Sequence, residues 1–309
     1  MSVIEVKNLT KDYGYGRGVF DVSFKIEKGE VFGFLGPNGA GKSTTIRHLM
    51  GFSKPQKGET LIFNKKTFDN YHEILNNVGY IPGEIALPQG LTGYEFIDMM
   101  QKMYGKKNDE MLNRMINLFK LEDNVLKMET KRMSLGVKRK LAIVTAFMSD
   151  PDVLILDEPT SGLDPVMQEV FINFIKEEKS RGKTILLSSH IFSEVDATCD
   201  RICIIKDGKI VSSFVANDLK HATLKTYKIV FNNITSYNDF LKEKLDYINI
   251  IKQDNDLLTL TVTCEDKNIN DFINIISNYE IKEFNNIKET LQDFFMKFYK
   301  EDKDFGGAL

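Results

Sequence analysis

Cysteine is scarce in this sequence, and the three present, Cys199, Cys203 and Cys264, are odd in number and never spaced as Cys-x-x-Cys. No histidine clusters beside them in sequence, so neither a disulfide framework nor a thiolate metal site is expected and all three read as ordinary reduced side chains. Long apolar runs are missing too. Stretches such as Ile143 to Met148 fall far short of the roughly 20 residues that a membrane-spanning helix needs, so the chain is not expected to cross a bilayer. Met1 to Lys11 alternates apolar and polar residues like a strand and lacks the basic, apolar, small-residue order of a leader, which points to the cytosol. Nor does one charge dominate: 41 Lys+Arg face 44 Asp+Glu, a net of -3. Without a global basic field no nucleic acid partner is expected, and any membrane contact must pass through another protein.

What is present is apolar patterning. With 309 residues, 42% of them hydrophobic, the chain can fill one large domain and a smaller one. Ile4 and Val6 alternate with Glu5 and Lys7, and Val22, Phe24 and Ile26 with Ser23, Lys25 and Glu27, as in half-exposed antiparallel strands. Val31 to Leu35 is a short apolar run that enters a Gly-rich turn, and Ser43 to Met50 then reads as a helix. Val153 to Leu156 and Ile185 to Leu187 are continuous apolar runs, typical of parallel strands covered on both faces. The expected fold class is therefore α/β, a wound core with an antiparallel β subdomain. From about residue 85 to 146 the apolar residues recur at helical spacing, as in Phe96 to Tyr104 and Met111 to Leu118, which predicts a helical insertion. Composition shifts near residue 221, and residues 221–309 read β-α-β-β-α-β-α, a small ferredoxin-like α+β domain following a first domain of residues 1–220.

Gly36-Pro37-Asn38-Gly39-Ala40-Gly41-Lys42-Ser43-Thr44 fits the phosphate-binding loop pattern and sits where that loop must, after an apolar strand and opening a helix. Glycines let successive N–H groups converge on phosphates, and the helix N-terminus adds the positive end of its dipole. Lys42 is suited to neutralise β and γ oxygens, and Ser43 offers a hydroxyl to Mg²⁺. Asp157 and Glu158 emerge from the end of the Val153 to Leu156 run. They divide two tasks, Asp157 holding the metal shell and Glu158 orienting and partly deprotonating an attacking water.

In order along the chain, these motifs resemble the ATP-binding cassette (ABC) ATPases, over roughly Val3 to Leu219. Ser161-Gly162-Leu163-Asp164 resembles the D-loop of that family, and Ser188-Ser189-His190 its switch-histidine segment. The resemblance implies that His190 contacts the γ-phosphate and that Asp164 belongs to the nucleotide site. Tyr13 resembles the aromatic residue that stacks on adenine, with Tyr15 its close rival. Met133-Ser134-Leu135-Gly136-Val137-Lys138 stands in the place of the signature sequence, with Leu135 replacing a Gly and Val137 a Gln, as in some drug and antibiotic-peptide exporters. By resemblance, Ser134 and Gly136 face the γ-phosphate bound by a second cassette subunit. The basic residues around them, Lys131, Arg132, Lys138, Arg139 and Lys140, read mainly as a solvated helix face. Where the family usually has Gln, this chain has Gly83, and Glu84 beside it is expected to take over part of the Mg²⁺ contact.

The resemblance implies an ATP-hydrolysing subunit with ATP and Mg²⁺ as cofactors. Its partners are then a separate transmembrane permease and a second cassette subunit, identical or different, at the cytoplasmic face of the cell membrane. Export is favoured over uptake. A soluble cassette ATPase acting on ribosomes or nucleic acid is the alternative. Such proteins usually carry two cassettes or a long coiled coil between the phosphate loop and the signature, and this chain has neither.

Overall fold

A computed structural model describes residues 1–220, 224–243, 245–287 and 290–300. His221 and the domain boundary expected beside it lie outside the described residues. The chain divides into two compact units, Met1–Ala216 and Asn217–Leu309.

The first unit runs β1 (Ser2–Asp12), β2 (Gly18–Glu27), β3 (Val31–Leu35), α1 (Lys42–Leu49), β4 (Lys57–Ile62), β5 (Lys65–Lys66), α2 (Thr67–Ile74) and β6 (Val78–Ile81). Four helices follow, α3 (Gly93–Tyr104), α4 (Asp109–Leu118), α5 (Asp123–Leu126) and α6 (Leu135–Phe147), where helical spacing predicted an insertion. Then come β7 (Val153–Asp157), α7 (Pro165–Ser180), β8 (Thr184–Ser189), α8 (Phe192–Thr198), β9 (Arg201–Lys206) and β10 (Lys209–Val215), with α9 (Ala216–Lys220) at the junction.

Two sheets result. One is antiparallel, in the order β2-β1-β4-β5; the other has six strands in the order β10-β9-β3-β8-β7-β6. In the larger sheet β10 joins β9 as an antiparallel hairpin, and every other pairing is parallel. Burial explains the difference. Every residue of β3, β7 and β8 is buried, as a parallel sheet covered on both faces requires, whereas β1 and β2 each bury one face. Ile4, Val22 and Ile26 from the antiparallel sheet, Ile46 and Leu49 from α1, and Phe32, Phe34 and Ile155 from the parallel sheet form one core. Phe24 stacks on Phe32 at 5.1 Å between ring centroids, which ties the two sheets together. In the insertion, Thr92 and Glu95 form a reciprocal capping box at the head of α3, and Gly105 closes it in the left-handed region.

The second unit runs β11 (Leu224–Phe231), α10 (Ile234–Lys242), β12 (Ile248–Asp254), β13 (Thr259–Glu265), α11 (Ile269–Ile276), β14 (Ile281–Ile287) and α12 (Leu291–Lys300). Its sheet order is β12-β13-β11-β14, antiparallel throughout, which is the ferredoxin-like arrangement expected for this region. Along β13, Leu260, Val262 and Cys264 point into the core while Thr259, Thr261 and Thr263 do not. Phe240 and Phe272 close that core from the two helices. All three cysteines are free and buried. Among the described residues no helix is long and apolar enough to cross a membrane.

Phe272 is fully buried and meets Tyr227 and Phe284 ring to ring. Phe272→Ala is expected to destabilise the second unit by about 3–5 kcal/mol. The measurement is denaturant-dependent hydrogen exchange, with early loss of protection confined to β11 and β13.

Candidate functional site

Strand register decides which loops meet. Leu35 pairs with Ser189, Asp157 with Ser188 and Ile81 with Leu156, so the carboxyl ends of β3, β8, β7 and β6 lie side by side. The segments that leave them carry Gly36 to Gly41, Glu158, His190 and Pro82 to Glu84. In open α/β sheets this crest is where ligands bind.

The loop after β3 is tightly built. A Cβ on Gly36 would come within 2.5 Å of the Ile205 carbonyl oxygen, and Gly41 adopts φ 109° against Val19. Gly39, at φ 84°, has open space around it. Within the loop Ala40 N–H donates to the Pro37 carbonyl, while the Ala40 carbonyl accepts from Gly208 N–H. Gly41 caps α1 without a side-chain acceptor, and the first turn of α1 contains no acidic residue. The helix therefore keeps its N-terminal donors and partial positive charge for an outside anion, and the triphosphate expected here fits that vacancy of acceptors. Lys42 is buried and its Nζ donates to the Gly36 carbonyl at 2.6 Å and the Pro37 carbonyl at 3.1 Å. Ser43 is exposed, and the Thr44 carbonyl accepts from His48 Nδ1.

Glu158 faces this loop. Its backbone sits at φ 50°, rare for a residue with a side chain, and is fixed by its N–H donating to the Ser188 carbonyl at 3.0 Å. Its Oε1 is buried and accepts no hydrogen bond among the described residues, so its compensation is the Lys42 ammonium 3.2 Å away. Its Oε2 lies 2.5 Å from Nδ1 of the half-exposed His190. One carboxylate thus bridges two residues that sequence reasoning had chosen separately.

Asp157 is buried and accepts from the Ser188 hydroxyl at 2.5 Å. On its other side stands Gly83, where a Cβ would be 3.1 Å from Asp157 Oδ2. An oxygen-only set of Ser43 and Asp157 suits a hard cation. Glu84 is exposed, and among the described residues no group of three or more acids, histidines or cysteines gathers as a metal cage. It is Gly83 that abuts the Asp157 carboxylate, while Glu84 beside it faces solvent.

Other expected residues occupy distinct places. Tyr13 is half-exposed in the β1–β2 loop, with Lys11 Nζ 5.6 Å from its ring centroid, and Tyr15 is almost fully exposed. Ser134 caps α6 by accepting from Val137 N–H, and a Cβ on Gly136 would be 3.0 Å from the Gly162 carbonyl oxygen. Asp164 caps α7, accepting from Met167 N–H at 3.0 Å.

Beside the site, sequence reasoning missed the buried charges of Arg139 and Glu194. Arg139, read as part of a solvated face, is buried: α6 is packed nearly all round, and the positive charges beside Arg139 hid that in the sequence. Glu194 on α8 is buried too. It accepts from the Ser189 hydroxyl at 2.6 Å, and that hydroxyl accepts from Ile191 N–H, which braces the segment carrying His190. Two acids, Glu194 and Asp196, in a helix of seven residues offer no periodic signal to say which of them is buried.

A family model described as "ABC transporter" matches residues 19–161. The chain is similar to an uncharacterized ABC transporter ATP-binding protein, YcbN, of Bacillus subtilis, 31% identical over 297 residues and 96% of each chain. It is similar to the bacitracin transport ATP-binding protein BcrA of Bacillus licheniformis, 36% identical over 72% of this chain and 73% of that one. Among solved structures it resembles the dimeric ATP-binding cassette MJ0796 in a post-hydrolysis state bound to ADP and Pi. There the TM-score is 0.62 at 25% identity, over 69% of this chain and 98% of that one.

Burial pushes the Glu194 carboxyl up to about 7 despite the Ser189 and Thr160 donors, and the nearby charge of Glu158 pushes the same way. An unfolded glutamate ionises near 4.5, so between these values the folded chain holds a proton that the unfolded chain has released. Stability therefore falls as pH rises through that window and stays lower above it. Glu194→Gln removes the ionisation and is expected to gain stability relative to wild type on going from about pH 5 to about pH 8. Denaturant midpoints at the two pH values check this; an unchanged difference would contradict it.

Proposed function

The chain belongs to the ATP-binding proteins of ABC transporters, and from that premise we propose that it hydrolyses ATP at the crest of the parallel sheet to drive export through a separate membrane permease. Membership of this family makes it an ATPase. The observation that carries the reading of the site is that the Glu158 carboxylate lies 3.2 Å from Lys42 Nζ and 2.5 Å from His190 Nδ1.

Lys42 exchanges its two loop carbonyls for phosphate oxygens, and the free N–H groups at the head of α1 bind the same anion. Ser43 and Asp157 would hold a magnesium ion, which supplies charge neutralisation to the phosphate oxygens. Glu158 orients the attacking water and takes its proton, and His190 steadies the carboxylate and the charge that develops on the γ-phosphate. Tyr13 stacks on the adenine. Ser134, Gly136 and the Asp164 turn act across the seam of a head-to-tail dimer, so that each subunit completes the other's site. ATP then holds the dimer closed, and loss of the γ-phosphate releases it, because the free energy available is the difference in ATP affinity between the two states.

Residues 1–220 form the ATPase domain in this reading, with its helical insertion at 85–146 facing the permease, and residues 221–309 form an accessory domain. Work is done at the cytoplasmic face of the membrane, with the permease as the only membrane contact. Export is supported by similarity to a bacitracin transport protein and by the Leu135 and Val137 variants in the signature.

Glu158→Gln is expected to lower turnover by about 10²-fold or more while ATP affinity stays near wild type, and to trap an ATP-bound dimer visible by size-exclusion chromatography. Near wild-type hydrolysis in that variant would remove the role given to Glu158. Lys42→Ala is expected to lose ATP binding itself, read by equilibrium titration. Affinity purification from detergent-solubilised membranes is expected to bring down a polytopic protein, and its absence would count against a permease-linked role.

A further inference from the structure

Among the described residues Arg139 is the bulkiest fully buried side chain, and the three hydrogen bonds of its guanidinium all leave its own helix. Its Nε donates to the Ser161 carbonyl at 2.9 Å, Nη1 to the Pro82 carbonyl at 2.9 Å and Nη2 to the Gly83 carbonyl at 2.7 Å. The three acceptors belong to two loops, one leaving β6 and the other leaving β7. Burial pulls the guanidinium below its ordinary value, and the charges of Asp157 and Glu158 act in the opposite sense, so both acids are near enough to feel it.

A buried cation is costly, and an apolar side chain of similar volume would fill the same space without that cost. Its planar fork of donors is what no apolar residue can supply. Each carbonyl it grips lies next to the chemistry. Gly83 abuts the Asp157 carboxylate, and Ser161 N–H donates to the Glu158 carbonyl at 3.2 Å. Nearer its N-terminus, α6 touches the same turn again: Gly136 approaches the Gly162 carbonyl, and Leu135 lies where a Gly162 side chain would go.

Resting on the proposed function, we infer that Arg139 is a positioning residue that locks the Pro82–Gly83 turn and the Ser161 turn to α6. The helix whose N-terminus serves the partner's nucleotide thereby also sets Asp157 and Glu158 in its own site. When Ser134 and Gly136 seat against the partner's ATP, α6 carries that displacement through the guanidinium to both acids. The two sites of the dimer are then coupled through one side chain, and the grip on the Gly83 carbonyl holds in place a turn that has no side chain of its own to reach Asp157.

The test uses the full chain and two variants, Arg139→Gln and Arg139→Lys, with binding of a non-hydrolysable ATP analogue measured beside the ATP dependence of steady-state hydrolysis. Arg139→Gln is expected to bind the analogue within about twofold of wild type, to lose about tenfold or more in kcat, and to show a Hill coefficient near 1 where wild type is cooperative. Arg139→Lys keeps the charge but not the fork, and is expected to fall between the two. Wild-type kcat and cooperativity in either folded variant would overturn the inference, as would equal losses in binding and turnover, which mark a merely structural role. If Arg139→Gln fails to fold, Arg139→Lys decides alone. A wild-type chain that neither binds nor hydrolyses ATP would instead overturn the functional reading beneath it.

Discussion

An anion enclosed between an ammonium and an imidazole organises the crest of the parallel sheet. The Lys42–Glu158 pair is largely shielded from solvent, so water cannot take over the role of either partner and the geometry has to be held by the fold. It is held from three sides. The loop of Gly36 and Pro37 fixes the lysine, the Ser188 carbonyl fixes the Glu158 backbone, and the Ser189–Glu194 hydrogen bond braces the segment that carries His190. Two of these supports are anchored in β8 or α8 and the third in a loop packed against Ile205 and Val19.

The strain in this arrangement is local and its source is visible. Glu158 follows directly on Asp157, yet the two acids serve different neighbours, one turned toward Ser188 and Gly83, the other toward Lys42 and His190. A left-handed backbone at Glu158 lets consecutive side chains diverge in this way. The parallel register of β7 with β8 supplies the hydrogen bond that keeps the chain there.

Much of this was legible in the sequence, and the reason is periodicity. Continuous apolar runs located β3, β7 and β8, and the alternation of Ile4 and Val6 with Glu5 and Lys7 located β1, because burial on two faces or on one leaves a direct record in residue order. The phosphate loop was legible because its glycines are demanded by backbone geometry. Arg139 and Glu194 were not, since a charged residue among other charges on a helix looks the same in sequence whether solvent or buried polar groups receive it. At Glu84 the sequence offered only adjacency to the usual glutamine position, and it is Gly83 that lies beside the Asp157 carboxylate.

Lys42 carries one more consequence. Its ammonium is already ordered against two carbonyls of its own loop, so the rotamer freedom of a long side chain has been surrendered during folding, before any ligand arrives. In the proposed mechanism nucleotide capture is a swap of acceptors on a preorganised donor, with little side-chain entropy left to lose. Affinity in such a site follows how much better phosphate oxygens are than peptide carbonyls, which makes discrimination among anions a question of charge density more than of shape.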